Sequence, residues 1–498
     1  MILLSEIISP LITDKRTITR DSNVLGISYD SRDIKKGEIF VCIKGVTDDG
    51  HNYIQDAIEK GASCIIVDKN RFNLCSDSKN NIPIIPVSDT RKALAIISSV
   101  FYRYPSDKIR VVAVTGTNGK TTTTILIDSL LSLGLDTKTA LSGTVYNKVG
   151  KKTESHQTTT PESLDLQELL YRSKEDGVSH ATIEVSSHAI DQMRVVGTKL
   201  DIAIFTNLTQ DHLDYHKNME SYRNTKGKLF SYLGLLPEHN KYPKVAVINK
   251  DDPYSSFIEK QVAVQTVTYG LGDQADVQGK IEKCDLFGTI MSVESFWGSF
   301  TIKTTLPGKY NCYNLLAAIT VALIEGVSVN KIQTLLRHPI SIPGRFEKIE
   351  MGQNFIVLVD YAHTPDSLKN VLKSIRELVE GRLSVVFGCG GERDKEKREE
   401  MGTVVSNYCD KIFITNDNPR SEKPENIAKD IVKGIDNRNV VIELNRQYAI
   451  ERALSWAGEN DVVLISGKGH ETKQIFDDNV IEFDDRKVAR RILEKMGY

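Results

Sequence analysis

The chain has 498 residues, with 64 Lys and Arg against 66 Asp and Glu, a formal net charge of −2, and 40 % apolar residues. That balance excludes a basic nucleic-acid footprint and an acidic disordered composition. Seven cysteines with no Cys-x-x-Cys pair exclude a disulfide scaffold and a zinc ribbon, and fit reduced thiols in a cytoplasmic protein.

At ~150 residues per domain, the length predicts roughly three domains. The start, Met1 to Ile8, has no basic stretch and meets Glu6 at once, so no secretory leader is expected. A membrane span needs ~20 continuous apolar residues. The longest run, residues 315–324, is about half that and carries Thr320.

Residues 1–106 read as a small α/β unit. Short β-like runs begin at Ile39, Ala62 and Ile82 and alternate with helical stretches such as Tyr53 to Lys60. Tyr104-Pro-Ser-Asp107 reads as a linker. Residues 107–340 form a second unit. A strand from Ile109 runs into Gly116-Thr-Asn-Gly-Lys-Thr121 and a helix to about Leu133, and further β runs at Ala181, Ile202 and Val245 alternate with helices, the pattern of a parallel sheet. Residues 264–304 are more β-rich and read as an insertion. Past Ile342-Pro-Gly-Arg345, residues 341–498 carry apolar runs at Phe355, Leu383, Lys411 and Asp461, each before a helix, as in a doubly wound sheet buried on both faces.

Strand, Gly116, Thr117, Asn118, Gly119, Lys120, Thr121, Thr122 and helix make a phosphate-binding arrangement. Backbone N–H groups at a helix start favour phosphate oxygens, Lys120 can reach the terminal phosphates, and the Thr121 hydroxyl can ligate Mg²⁺. The usual pattern has Gly at position 114, where Val114 stands, so the loop is a variant. Polar clusters follow six further β runs: residues 184–188, 207–216, 360–365, 388–394, 416–420 and 466–471. Open α/β sheets place their ligands at such strand ends. His212 and His216 have zinc-like spacing, but Leu213 stands where a metalloprotease needs Glu. Beside Glu184, Mg²⁺ or phosphate is the better expectation, because Mg²⁺ prefers oxygen ligands.

In combination with Asp30-Ser-Arg32, Thr159-Thr-Pro161, residues 308–314, Gly344-Arg345, Asp360-Tyr-Ala-His363 and Asp417-Asn-Pro-Arg420, these motifs resemble the ATP-dependent Mur ligases over essentially the whole chain. The resemblance implies a three-domain α/β enzyme: a small N-terminal UDP-binding domain, a central phosphate-loop domain and a C-terminal Rossmann-like domain. It implies catalytic roles for Lys120, Glu184, His212 and Lys226, with Asn314 and Arg345 at ATP. Ser31 would meet the UDP end, and Thr159, Thr160, Ser186, Gln192 and Arg194 the muramyl dipeptide. Thr121, Glu184 and Lys226 would serve Mg²⁺, Lys226 as a carbamylated lysine; Lys228 is the nearby competitor, which the Lys-x-x-Leu-Phe spacing rejects.

By the same resemblance, Arg393, Asp417, Asn418, Pro419, Arg420, Gly467 and Glu471 would bind the incoming amino acid. The full Asp-Asn-Pro-Arg run resembles the diaminopimelate-adding version, so the expected substrates are UDP-MurNAc-L-Ala-D-Glu, meso-diaminopimelate and ATP, handled by a cytoplasmic monomer with no nucleic acid or membrane partner. Addition of lysine, a folylpolyglutamate synthetase and a nucleotide-switched binding protein are the alternatives.

Overall fold

The computed structural model describes residues 2–12, 21–45, 48–74, 82–154, 158–235, 243–436, 439–477 and 479–498. Three sheets organise them. The first is four-stranded and all parallel, in the order Gly26–Ser28, Glu38–Val41, Cys64–Asp68, Ile84–Val87. The second has eleven strands. At its heart Thr139–Ser142, His180–Glu184, Arg110–Thr115, Ile202–Phe205, Val245–Asn249 and Gln265–Gly270 lie side by side and parallel. The third is six-stranded, parallel except for the edge strand Glu347–Ile349, and its strand order departs from chain order.

The apolar runs become buried strands because both faces of each large sheet are covered. In Arg110–Thr115, Val112 and Val114 join a core with the helices Lys120–Gly134 and Lys309–Ile324, while Val111 and Ala113 face a second core with Ser163–Glu175 and Met219–Leu233. Alternate side chains of one strand thus enter two apolar layers. The expected insertion is corrected. Val277–Asp285, Gly288–Ser295 and Gly298–Thr304 are antiparallel but continue the central sheet through the pairing of Tyr269 with Val277.

The sheets are tied together by a few specific contacts. Arg91 and Arg194 both reach Glu162 Oε1, at 2.7 and 3.0 Å, and Tyr29 donates to Asp165 at 2.8 Å, holding the first sheet's unit to the second. Leu286, at the tip of a hairpin of the central sheet, is buried in the core beneath the third sheet beside Leu368 and Leu372. The parallel strands of the second and third sheets present their C-terminal ends to one shared cleft.

Candidate active site

The phosphate loop rests on the segment that follows the strand Ile202–Phe205. Asn207 accepts from Asn118 N at 2.9 Å, and Thr206 and Asn207 both donate to Asn118 O. A Cβ on Gly116 would land on Thr206 Oγ1, and one on Gly119 would land on Asn314 Oδ1, with φ of 84° at Gly119. Only glycine permits that approach and that backbone. Lys120 opens the helix and its Nζ folds back on the carbonyls of Gly116 and Thr117, at 3.0 and 2.8 Å. Burial holds its pKa below the usual lysine value.

Glu184, at the end of the adjoining strand and 1 % exposed, accepts from Thr121 Oγ1 at 3.0 Å and from Thr144 through both backbone N–H and hydroxyl, at 2.9 and 3.0 Å. Thr144 was not singled out from sequence. The signal for it, Gly143-Thr144 just past another strand end, is short and lacks a charged residue. This gathering of carboxylate and hydroxyl oxygens suits a hard cation such as Mg²⁺. Among the described residues no group of three or more His, Cys, Asp and Glu side chains could hold a metal ion.

Lys226 lies behind the loop, 1 % exposed, donating to Gly116 O at 2.8 Å with its Nζ 4.7 Å from the centre of the Tyr222 ring. Burial, reinforced by the Lys120 charge, drives its pKa well below the usual lysine value. Lys228 points the other way, exposed beside Asp191. The helix therefore separates the two lysines by face, since side chains two positions apart diverge by more than half a turn. His212 lines the cleft with its pKa pushed by burial down to about 4, so its imidazole is neutral near pH 7.

The facing wall comes from the third sheet. Asp360, Gly388, Asp417, Asn418, Arg420, Gly467 and Glu471 border the same cavity as residues 117–122, Thr159 and Arg345, with a volume of about 680 Å³. Arg345 crosses between the walls, donating to Thr121 Oγ1 at 3.2 Å and stacking 4.5 Å from the Tyr361 ring centre. Asp366 Oδ2 accepts from Asn118 Nδ2 at 2.8 Å and from Thr209 Oγ1 at 3.0 Å, a second bridge from the loop to the third sheet's unit. Asn418 donates to Glu471 Oε2 at 2.9 Å, Arg420 donates to Gly391 O at 2.7 Å, and Arg393 is exposed on the cleft wall.

Other expected residues lie behind or beyond this cavity. Thr160 Oγ1 donates to Glu184 O at 2.9 Å and accepts from Ser186 N, and Arg194 holds Thr160 O and Gln192 Oε1, each at 2.7 Å. That group backs Thr159 without bordering the cavity. Ser31 is buried in the first sheet's unit, its carbonyl accepting from Lys60 at 2.6 Å. Asn314 accepts from Thr123 Oγ1 at 3.3 Å under the loop. Pro419 also lies outside the lining.

The Mur ligase middle domain pattern matches residues 114–322, the Mur ligase glutamate ligase domain 344–469, and the Mur ligase family catalytic domain 23–102. A UDP-N-acetylmuramoyl-L-alanyl-D-glutamate--2,6-diaminopimelate ligase from Geobacillus kaustophilus is 43 % identical over 478 residues, 95 % of this chain and 96 % of that protein. This chain belongs to the Mur ligase family. A solved structure of a ligase of that same description is 31 % identical, with a TM-score of 0.67 over 100 % of this Mur ligase and 99 % of that chain. A Mycobacterium tuberculosis folylpolyglutamate synthase is 16 % identical with a TM-score of 0.61, covering 76 % and 92 % of the two chains, a likeness of fold alone. This Mur ligase is an ATP-dependent amide ligase of three-domain α/β architecture. Among the described residues no helix is long and apolar enough to cross a membrane.

Proposed function

We propose that this Mur ligase joins diaminopimelate to the glutamyl carboxylate of UDP-N-acetylmuramoyl-L-alanyl-D-glutamate, forming ADP and phosphate from ATP, as a cytoplasmic monomer divided near residues 106 and 340. One observation carries the reading: the phosphate loop and the Asp417 to Arg420 segment line opposite sides of a single cleft, with Thr159 on its border. A nucleotide's terminal phosphate, an acceptor acid and an amine can therefore meet in one cavity.

The glutamyl carboxylate oxygen attacks the γ-phosphorus, ADP departs, and an acyl phosphate forms. The amine nitrogen then attacks the acyl carbon, phosphate leaves, and the ammonium proton is lost to solvent. Two like charges brought to ~4 Å repel by about 4 kcal/mol at an effective dielectric near 20. Left uncompensated, that would slow the first step roughly a thousandfold. Lys120 and Arg345 supply the positive charge, and the loop's N–H groups receive phosphate oxygens. Thr121, Thr144 and Glu184 would hold Mg²⁺, which neutralises phosphate charge. His212, kept neutral, borders the reaction without adding a charge.

Lys226 suits carbamylation for a physical reason. Burial lowers its pKa well below the usual lysine value and so favours the neutral amine, the form that attacks carbon dioxide, releasing a proton and leaving a carbamate. The product places an anion beside Lys120. Arg420 would grip the distal carboxylate of diaminopimelate, and Glu471 an ammonium. Lysine would leave Arg420 without its anion, and unpaired site groups can reject analogues by ~10⁴-fold.

Purified enzyme given UDP-muramyl dipeptide and ATP, with diaminopimelate and lysine in parallel, should release phosphate and form tripeptide chiefly with diaminopimelate. Equal ATP consumption without the muramyl acceptor overturns the reading. Intact-mass measurement under carbon dioxide should find one added CO₂ on the wild type and none on Lys226→Ala.

A further inference from the structure

Just outside the cavity lining, the Ser466-Gly-Lys-Gly-His-Glu471 loop buries a side chain that the mechanism above does not use. Lys468 is 0 % exposed, and its ammonium has three donors to satisfy. It meets three acceptors: Asn418 Oδ1 at 3.1 Å, Glu471 Oε2 at 3.0 Å and Lys473 O at 2.6 Å. Two of these belong to side chains that border the cleft, while the third is the first carbonyl of the strand Lys473–Phe476.

Its two side-chain partners are also bonded to each other, Asn418 Nδ2 donating to the same Glu471 oxygen at 2.9 Å. Asn418 Oδ1 further accepts from Ile475 N at 3.1 Å, so the amide is held from both sides. With Oε2 occupied twice, Glu471 keeps Oε1, which has no such partner among the described residues, for a ligand. A buried charge is tolerated only when its partners are fixed, and the fixing is mutual.

We propose that Lys468 is a positioning residue for the incoming amino acid: it locks Asn418 and Glu471 into one network, so that Glu471 offers a single pre-oriented oxygen to an ammonium group. This rests on the reading of Glu471 as part of the amino-acid site. Lys468 acts through Glu471 and Asn418 and touches no reactant. Its loss therefore weakens capture of the amino acid and spares the nucleotide.

The test is steady-state kinetics of the full chain, with diaminopimelate and ATP varied separately, for wild type, Lys468→Met, Lys468→Arg, Glu471→Gln and the Lys468→Met/Glu471→Gln pair. Lys468→Met should raise KM for diaminopimelate by about ten- to a hundredfold, the range for losing a hydrogen bond to a charged group. The KM for ATP and kcat should hold within about twofold. In the Glu471→Gln background the added effect should shrink, because the two changes break one network. Lys468→Arg keeps the charge but not the three-point fit, so it should fall between wild type and Lys468→Met and supplies the test where Lys468→Met does not fold. An unchanged KM for diaminopimelate, an equal rise in KM for ATP, or full additivity with Glu471→Gln overturns the proposal. If Glu471→Gln itself leaves KM for diaminopimelate unchanged, the amino-acid reading of the site fails first.

Discussion

The two walls of the cleft are built in different ways. The phosphate loop is made by consecutive residues, and the carbonyls of Gly116, Thr117 and Asn118 take the hydrogen bonds that hold Lys120, Lys226 and Thr206. The opposite wall gathers side chains from four strand exits, after Asp360, Phe387, Ile414 and Ser466, and depends on buried ions behind it. Arg446 is the chief of these. Wholly buried, it pairs with Asp485 at 2.7 Å and donates to the carbonyls of Asn416 and Ser466, the first residues of the two motif loops. A wall of backbone tolerates side-chain change around it. A wall hung on buried ion pairs does not.

Breaking the Arg446–Asp485 pair gives the largest expected effect. Arg446→Leu leaves Asp485 buried without a partner and should cost about 3–5 kcal/mol of stability, while Arg446→Met with Asp485→Leu should recover much of it. Urea denaturation checks both, and a small loss in the single variant would erase the contrast between the walls. Lys120→Ala should instead leave stability nearly intact and cut ATP turnover about a thousandfold, or about 4 kcal/mol in barrier, read as phosphate release. Arg420→Ala should lower kcat/KM for diaminopimelate by about ten- to a hundredfold and narrow its margin over lysine, as competition assays would reveal.

Acid should weaken the fold gradually. Burial lowers the pKa of His212 to about 4 and of His470 to about 3, and lowers those of His188, His216 and His363 as well. The unfolded chain then binds protons that the folded one refuses, so stability is complete above the ordinary histidine value of 6.5 and falls as pH drops towards 3. Each such group adds at most about 1.4 kcal/mol per pH unit, and urea midpoints against pH, with His470→Gln flattening the curve, measure it. The smallest effect belongs to Lys228→Ala. Its exposed pairing with Asp191 should be worth less than about 0.5 kcal/mol, with turnover unchanged, unlike the loss expected of Lys226→Ala.

Much of the fold could be read from pattern. Continuous apolar runs before helices mark doubly covered parallel strands, because no other setting shields every side chain of such a run. Residues 264–304 read as an insertion, since richness in β residues does not say which sheet the strands join, and only the pairing of Tyr269 with Val277 decides that. The loop of residues 116–122 between strand and helix was legible because glycine spacing, lysine and helix start act on neighbouring atoms. Thr144 and Lys468 were not. A threonine becomes a partner of Glu184 only when two strand ends lie side by side, and a lysine is buried only when distant acceptors close around it.

Local chemistry therefore settled which residues form the glycine loop at a strand end and which runs become strands, for these depend on short-range sterics and the period of apolar residues. The third dimension decided the rest. It buried Lys226 and left Lys228 exposed, drew Asn418, Glu471 and Lys468 into one network, and set that network across a cleft from the phosphate loop. Burial and charge compensation depend on every chain segment that packs nearby, and no window of sequence contains them all.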